Sequence, residues 1–229
     1  MMYGYLIGAL IATLFWLIIF FTRQDLRKQM VITGLLFLPF FLFDKMLIPS
    51  YWQPRVLFDL YDKLGFSLES ILFIFTASGV FAVLYKFAMR KTENIPTKIS
   101  VSKRTILFLV YIYSTFLILT SLGLGAHILS MLIPFVAIII FITIQRPDLL
   151  KLIIMSGILG FGLYFTSLLI FSHFLPNFFT NTYNLGNLWG IFILGIPLEE
   201  VLWGLYYPAL MACSYKYLFE TKPAEQKDI

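Results

Sequence analysis

Four carboxylates in this chain stand where an acid is costly: Asp44, Glu69, Glu199 and Glu200 lie inside or at the head of apolar stretches. Three of them belong to a segment that the chain carries twice. Gly65-Phe66-Ser67-Leu68-Glu69-Ser70-Ile71-Leu72-Phe73 returns 130 positions later as Gly195-Ile196-Pro197-Leu198-Glu199-Glu200-Val201-Leu202-Trp203. The register continues without a gap, so that Tyr85-Lys86-Phe87 answers Tyr215-Lys216-Tyr217. Pro197 suits the first position of a helix, which puts Glu199 and Glu200 in the first turn. There the helix dipole and the apolar neighbours Trp189, Phe192 and Trp203 pull on a carboxyl in opposite senses, which suits a general acid. A helix cap at an interface is the competing reading of the same glutamates. Glu200 has no acidic counterpart in the first copy, where Ser70 stands.

The elements that must position these groups are membrane helices. Of the 229 residues 60% are hydrophobic, 18% aromatic and only 13% charged, too few polar side chains to cover a soluble globule. Apolar stretches of about 20 residues mark seven spans, near 3–21, 30–48, 69–89, 105–123, 126–144, 151–174 and 190–217. Alternate connections and the tail hold 14 of the 17 basic residues, leaving Lys45, Arg55 and Lys63 on the other side. The positive-inside rule then sets the amino terminus outside and the carboxyl terminus in the cytoplasm of a multi-pass cell-membrane protein. The net charge of +5 is spread over short loops, which excludes a nucleic-acid face. The first span lacks a basic leader and a cleavage site and reads as a retained helix.

An odd number of spans makes sense of the repeat. Residues 1–98 form a first three-helix repeat, 99–124 a connector helix, 125–219 a second repeat and 220–229 a cytoplasmic tail. The connector returns the chain across the membrane, so both copies insert in the same direction. Glu69 and Glu199 then face each other at one depth near the outer surface, a two-carboxylate site by symmetry.

The remaining polar residues carry weaker signals. Asp44, toward the outer end of the second span, is either a functional acid or the companion of a snorkelling Lys45. Asp59, Asp62 and Lys63 form the solvated face of an interfacial helix built on Val56, Leu60, Tyr61 and Leu64. His127 and His173 lie near the outer boundary as possible relays, with no acidic cluster at metal-ligand spacing, so no metal is expected. Asn181, Asn184 and Asn187 read as a turn-rich loop. The single cysteine, Cys213, reads as a small core residue and rules out an internal disulfide.

The Pro-Leu-Glu-Glu motif at 197–200, the three-helix repeats, the Phe43-Asp44 pair followed by Trp52 and the aromatic residue after each motif resemble the bacterial, archaeal and fungal lycopene cyclase domain. In that family each half carries a Pro-x-Glu-Glu or Pro-x-Glu-Asp motif, and the two halves close the end rings of a linear carotenoid. The first copy departs from the pattern, with Ser67 for the proline and Ser70 for the second acid. The resemblance implies a flavin-independent reaction without net redox change and without a cofactor. An acid protonates the terminal double bond, the next double bond closes a six-membered ring on the tertiary cation, and a base removes a proton. It implies Glu199 as donor, with Glu200 or Glu69 as partner or returning base; Asp44 is a further catalytic candidate from its depth in the second span alone. Trp203, Phe73 and Trp189 would stabilise the cation, with Pro197 and Trp52 completing the substrate site. The partners are a linear carotenoid or other polyene and the lipid bilayer; a homo-oligomer stays open. A noncatalytic carotenoid or isoprenoid binder is the alternative. A retinal photoreceptor is disfavoured, because the last helix has only Lys216, at its end, for a Schiff base.

Overall fold

The computed structural model describes residues 3–92, 101–122, 128–175 and 177–220, and about four-fifths of them are helical. The helices are α1 (Gly4–Thr22), α2 (Arg27–Phe37), α3 (Asp44–Leu47), α4 (Leu60–Leu64), α5 (Leu68–Ala88), α6 (Lys103–Ser121), α7 (Ile128–Gln145), α8 (Leu150–Phe174), α9 (Phe178–Thr182) and α10 (Leu198–Phe219). Two short strands, β1 (Phe192–Ile193) and β2 (Ile196–Pro197), form a hairpin ahead of α10.

Five stretches are long and apolar enough to cross a membrane: Gly4–Thr22, Gln24–Leu47, Leu68–Ala88, Lys103–Ser121 and Pro147–Phe174. They coincide with the first four expected spans and the sixth. The fifth expected span falls on α7, which is apolar over its described stretch Ser130–Gln145. The seventh, α10, is diluted by its two acids, Lys216 and several tyrosines, and does not reach the same apolarity.

The second expected span is three helical pieces rather than one. Pro39 has no amide hydrogen to give the helix, and at that point α2 tightens into a 3-10 stretch, Leu38–Phe43, before α3 begins with Asp44. The last span is shorter than expected, because residues 192–197 are the hairpin and α10 starts at Leu198. Leu194 and Gly195, with φ of 51° and 82°, make the two-residue turn whose twist suits a hairpin. Pro197 consequently stands one position earlier than expected, as the N-cap residue of α10. The loop expected at 181–187 contains the end of α9 and a 3-10 turn, Leu185–Asn187. The expected interfacial helix is a 3-10 turn, Leu57–Asp59, followed by α4. Lys86, expected just before the basic connection that follows the third span, is buried in α5 and donates to Gln29 Oε1 at 2.6 Å. His127 lies outside the described residues, as do Lys98, Lys222 and Lys227.

The repeated helices α5 and α10 form the centre of the bundle. The rings of Phe73 and Trp203 stack 6.0 Å apart, and Ser78 Oγ lies 2.7 Å from Tyr207 Oη. Both pairs advance in the same sense, so the two helices run parallel with their glutamate ends level. Helix α5 packs chiefly on α1 and α2, α10 on α8 and α7, and α6 lies against α7. The close approach of α8 to α10 depends on Gly160, where a β-carbon would sit 2.2 Å from Pro208 Cβ.

At the glutamate end the bundle is capped by the loops that lead into α5 and α10. Trp52 and Tyr183 form an antiparallel bridge, with Gln53 N–H donating to Thr182 O at 2.6 Å and Asn184 N–H to Tyr51 O at 3.0 Å. The Asn187 side chain adds a bond to Ser50 O at 2.7 Å. Backbone pairing of this kind satisfies groups that the apolar surroundings would leave orphaned.

Candidate active site

Glu69 and Glu199 hold equivalent positions and perform equivalent tasks. Glu69 Oε1 accepts the amide hydrogen of Leu57 at 2.7 Å, and Glu199 Oε1 accepts that of Trp189 at 2.6 Å. Both side chains are buried, and neither caps its own helix. In α5 the cap is Ser67, whose Oγ accepts from the Ser70 amide at 3.0 Å. Each glutamate thus ties the connection ahead of its helix to the helix head. The second oxygen of each, Oε2, has no hydrogen-bond partner among the described residues.

The carboxyls that face open space are two others. Beneath the cap lies a cavity of about 230 Å³, walled mostly by apolar and aromatic side chains, and Glu200 and Asp44 are its acidic lining residues. Glu200 is one residue beyond Glu199, about 100° further round the helix, so consecutive glutamates in the first turn point to different places: one to the loop, one to the cavity.

Three tyrosines surround Glu200. Tyr51, from the loop between α3 and α4, donates to Oε1 at 2.7 Å, Tyr164 of α8 donates to Oε2, and Tyr183 interacts with the same carboxyl. Burial, with the Glu200 carboxyl alongside, pushes the Tyr51 and Tyr183 phenols well above their usual range, so they remain proton donors.

Asp44 sits in a second, smaller polar group. Its Oδ2 accepts the Ser67 amide at 3.3 Å, and its side chain interacts with Ser70. Ser70 Oγ in turn lies 2.9 Å from Ser67 Oγ and accepts from Tyr5 Oη at 3.0 Å. Tyr5 and Trp52 meet edge to face at 4.4 Å and join this group to the cap.

Between the two polar groups runs an aromatic wall. Trp203 stacks on Tyr207 at 4.3 Å, faces Tyr164 at 4.7 Å and reaches Phe73 across the α5–α10 seam. Ser78 Oγ donates to Ile74 O at 2.6 Å and so accepts from Tyr207, which fixes that ring. Such faces attract a cation by about 2 kcal/mol or more when water is excluded.

The sequence-derived candidates therefore divide. Glu200, Asp44, Trp203, Phe73 and Trp52 share the cavity, whereas Glu69 and Glu199 pin loops. Trp189 contributes its backbone amide and leaves its ring 38% exposed, and Pro197 is buried in the hairpin. The tyrosines at 5, 51, 164, 183 and 207 were not among the candidates. Their polar contacts span 17 to 149 positions of chain, and no local spacing announces them. Among the described residues no three metal-binding side chains come together.

The family model described as lycopene cyclase matches residues 105–218. No curated protein and no solved structure matches the chain.

Proposed function

Over residues 105–218 the chain belongs to the lycopene cyclase family, and from that premise we propose that it closes the end rings of a linear carotenoid by proton-initiated cyclisation. The observation that carries this reading is the pairing of two buried carboxyls with an aromatic wall on one cavity.

A carboxyl proton adds to the terminal carbon–carbon double bond and becomes a C–H, leaving a tertiary carbocation and a carboxylate. The π electrons of the next double bond close the six-membered ring and move the positive charge into it. A ring C–H proton then passes to a carboxylate, and its electron pair becomes the ring alkene. One proton enters and one leaves, so the product is an isomer of the substrate and no electron acceptor is consumed.

The cavity suits each stage. Glu200 brings a carboxyl whose oxygens are oriented by phenols, and preorganised polar groups act most strongly where water is absent. Trp203, Tyr207 and Phe73 face the path of the cation. The apolar lining keeps out the water that would trap the cation as an alcohol.

A carotenoid is about as long as the roughly 30 Å hydrocarbon core, so this cavity takes an end of the rod and the rest must leave it. The way out is sideways between α1 and α8. Ile11 and Phe15 line the cavity and are also 38% and 41% exposed on the outside of the bundle. Nearer the cap the same seam is filled by Phe178 against Gly4 and Phe171 beside Gly8.

Purified protein in lipid nanodiscs, given a linear carotenoid in deuterium oxide without flavin or nicotinamide, tests the reading. Ring products carrying one deuterium per ring support it. Polyene held on the protein but unchanged favours a noncatalytic carotenoid-binding role.

A further inference from the structure

The first copy of the repeat has a serine, Ser70, where the second has Glu200. We infer that Asp44, brought from α3 onto the hydroxyl of Ser70, is the carboxyl that serves the first half of the cavity in place of the missing glutamate. The inference rests on the cyclase reading and extends it by giving the reaction its second proton-exchanging group.

The geometry has four parts. Asp44 is only 3% exposed overall, yet it lines the cavity, so its accessible partner is whatever the cavity holds. It is fastened to the head of α5, the helix that matches α10, through the Ser67 amide at 3.3 Å and the Ser70 side chain. Ser67 and Ser70 are the two positions at which the first motif departs from the second, and both belong to the group that receives Asp44. A glutamate at 70 would project from the same helix face into the space that Asp44 and Tyr5 now share. The seat thus exists only because the side chain at 70 is small.

The surroundings also parallel those of Glu200. Each carboxyl group stands with a tyrosine from a different helix or loop: Tyr51 and Tyr164 donate directly to Glu200, and Tyr5 reaches Asp44 through Ser70. One carboxyl gives a proton to the terminal alkene and the other takes one from the closed ring. The pair together gains and loses none, and a proton returning between them restores the starting state. Asp44 is the catalytic residue in this account, and Ser70 and Tyr5 position it.

The test is ring closure by membranes carrying the wild type, Asp44→Asn, Asp44→Glu and the double variant Asp44→Ser/Ser70→Glu, with polyene retained on purification as a check of folding. Asp44→Asn is expected to lose at least a hundredfold in rate while retaining polyene like the wild type. Asp44→Glu, which keeps the carboxyl, and the double variant, which moves it to the helix, are each expected to hold at least a tenth of the wild-type rate. Asp44→Asn within threefold of an active wild type overturns the inference alone. So does loss of polyene by Asp44→Asn, which would make Asp44 structural, or a folded but inactive double variant. A wild type that closes no ring overturns the cyclase reading, and this inference with it.

Discussion

Tyr51 donates its phenol proton to Glu200 across 149 positions of sequence, at 2.7 Å, and by doing so joins the loop between α3 and α4 to the head of α10. Glu200 is therefore set from two sides, its backbone by α10 and its orientation by the cap. A hydrogen bond to a charged group contributes about 1.5–3 kcal/mol. Tyr51→Phe is expected to lower the cyclisation rate about tenfold to a hundredfold with little change in the amount of folded protein, as read by pigment chromatography beside quantified membrane expression. A rate within twofold of wild type would mean that the phenol does not act through Glu200.

The aromatic wall makes a separate prediction. Trp203→Phe keeps a ring against Tyr207, whereas Trp203→Leu keeps bulk without a face for the cation. A loss of about 2 kcal/mol of transition-state stabilisation corresponds to about thirtyfold in rate. The leucine variant should therefore be about thirtyfold slower than wild type, and the phenylalanine variant should fall between them. Equal rates for the two variants would assign Trp203 to packing.

Glu199 and Glu69 are expected to behave as loop fasteners. Removing an acceptor from a buried amide costs about 1–3 kcal/mol, so Glu199→Ala and Glu69→Ala should lower the unfolding midpoint in detergent by several degrees. Glu199→Gln and Glu69→Gln, which keep an acceptor oxygen, should unfold close to wild type and retain cyclisation. Abolished activity in a fully stable Glu199→Gln would return the proton donor to Glu199.

Stability should also fall at high pH in a definite sense. Tyr51 and Tyr183 are held neutral in the fold by burial and by Glu200, while an unfolded tyrosine ionises near pH 10. The unfolded chain then binds fewer protons than the native one, so stability is level below about pH 10 and declines above it. Thermal unfolding between pH 8 and 11 reads this directly, and Tyr51→Phe should flatten part of the decline.

The sequence carried the architecture further than the site. Periodic apolar runs and the 130-residue repeat located the helices and the level, parallel glutamates of α5 and α10, because helix length and repeat register are local properties. The second span reads as one helix over 30–48 in the sequence; its break at Pro39 and the 3-10 stretch that leads to Asp44 emerge only in the fold. The motif Pro197-Leu198-Glu199-Glu200 marked two adjacent acids at the head of α10 but not where each of them points. Two adjacent residues on one helix turn differ by about 100°, and which of them faces the cavity is decided by where α8 and the cap loops lie. The tyrosines were invisible for the same reason: Tyr51, Tyr164 and Tyr183 reach Glu200 only once α8 and the cap loops have packed around the head of α10.

The central claim is that Glu200, facing the cavity, exchanges the proton that closes the ring. The most direct measurement is the pigment profile of a lycopene-accumulating bacterium expressing the wild type, Glu200→Gln or Glu199→Gln at matched membrane levels. The account predicts cyclised carotenoid with the wild type and with Glu199→Gln, and linear lycopene alone with Glu200→Gln. Cyclised product from Glu200→Gln at the wild-type level would contradict it.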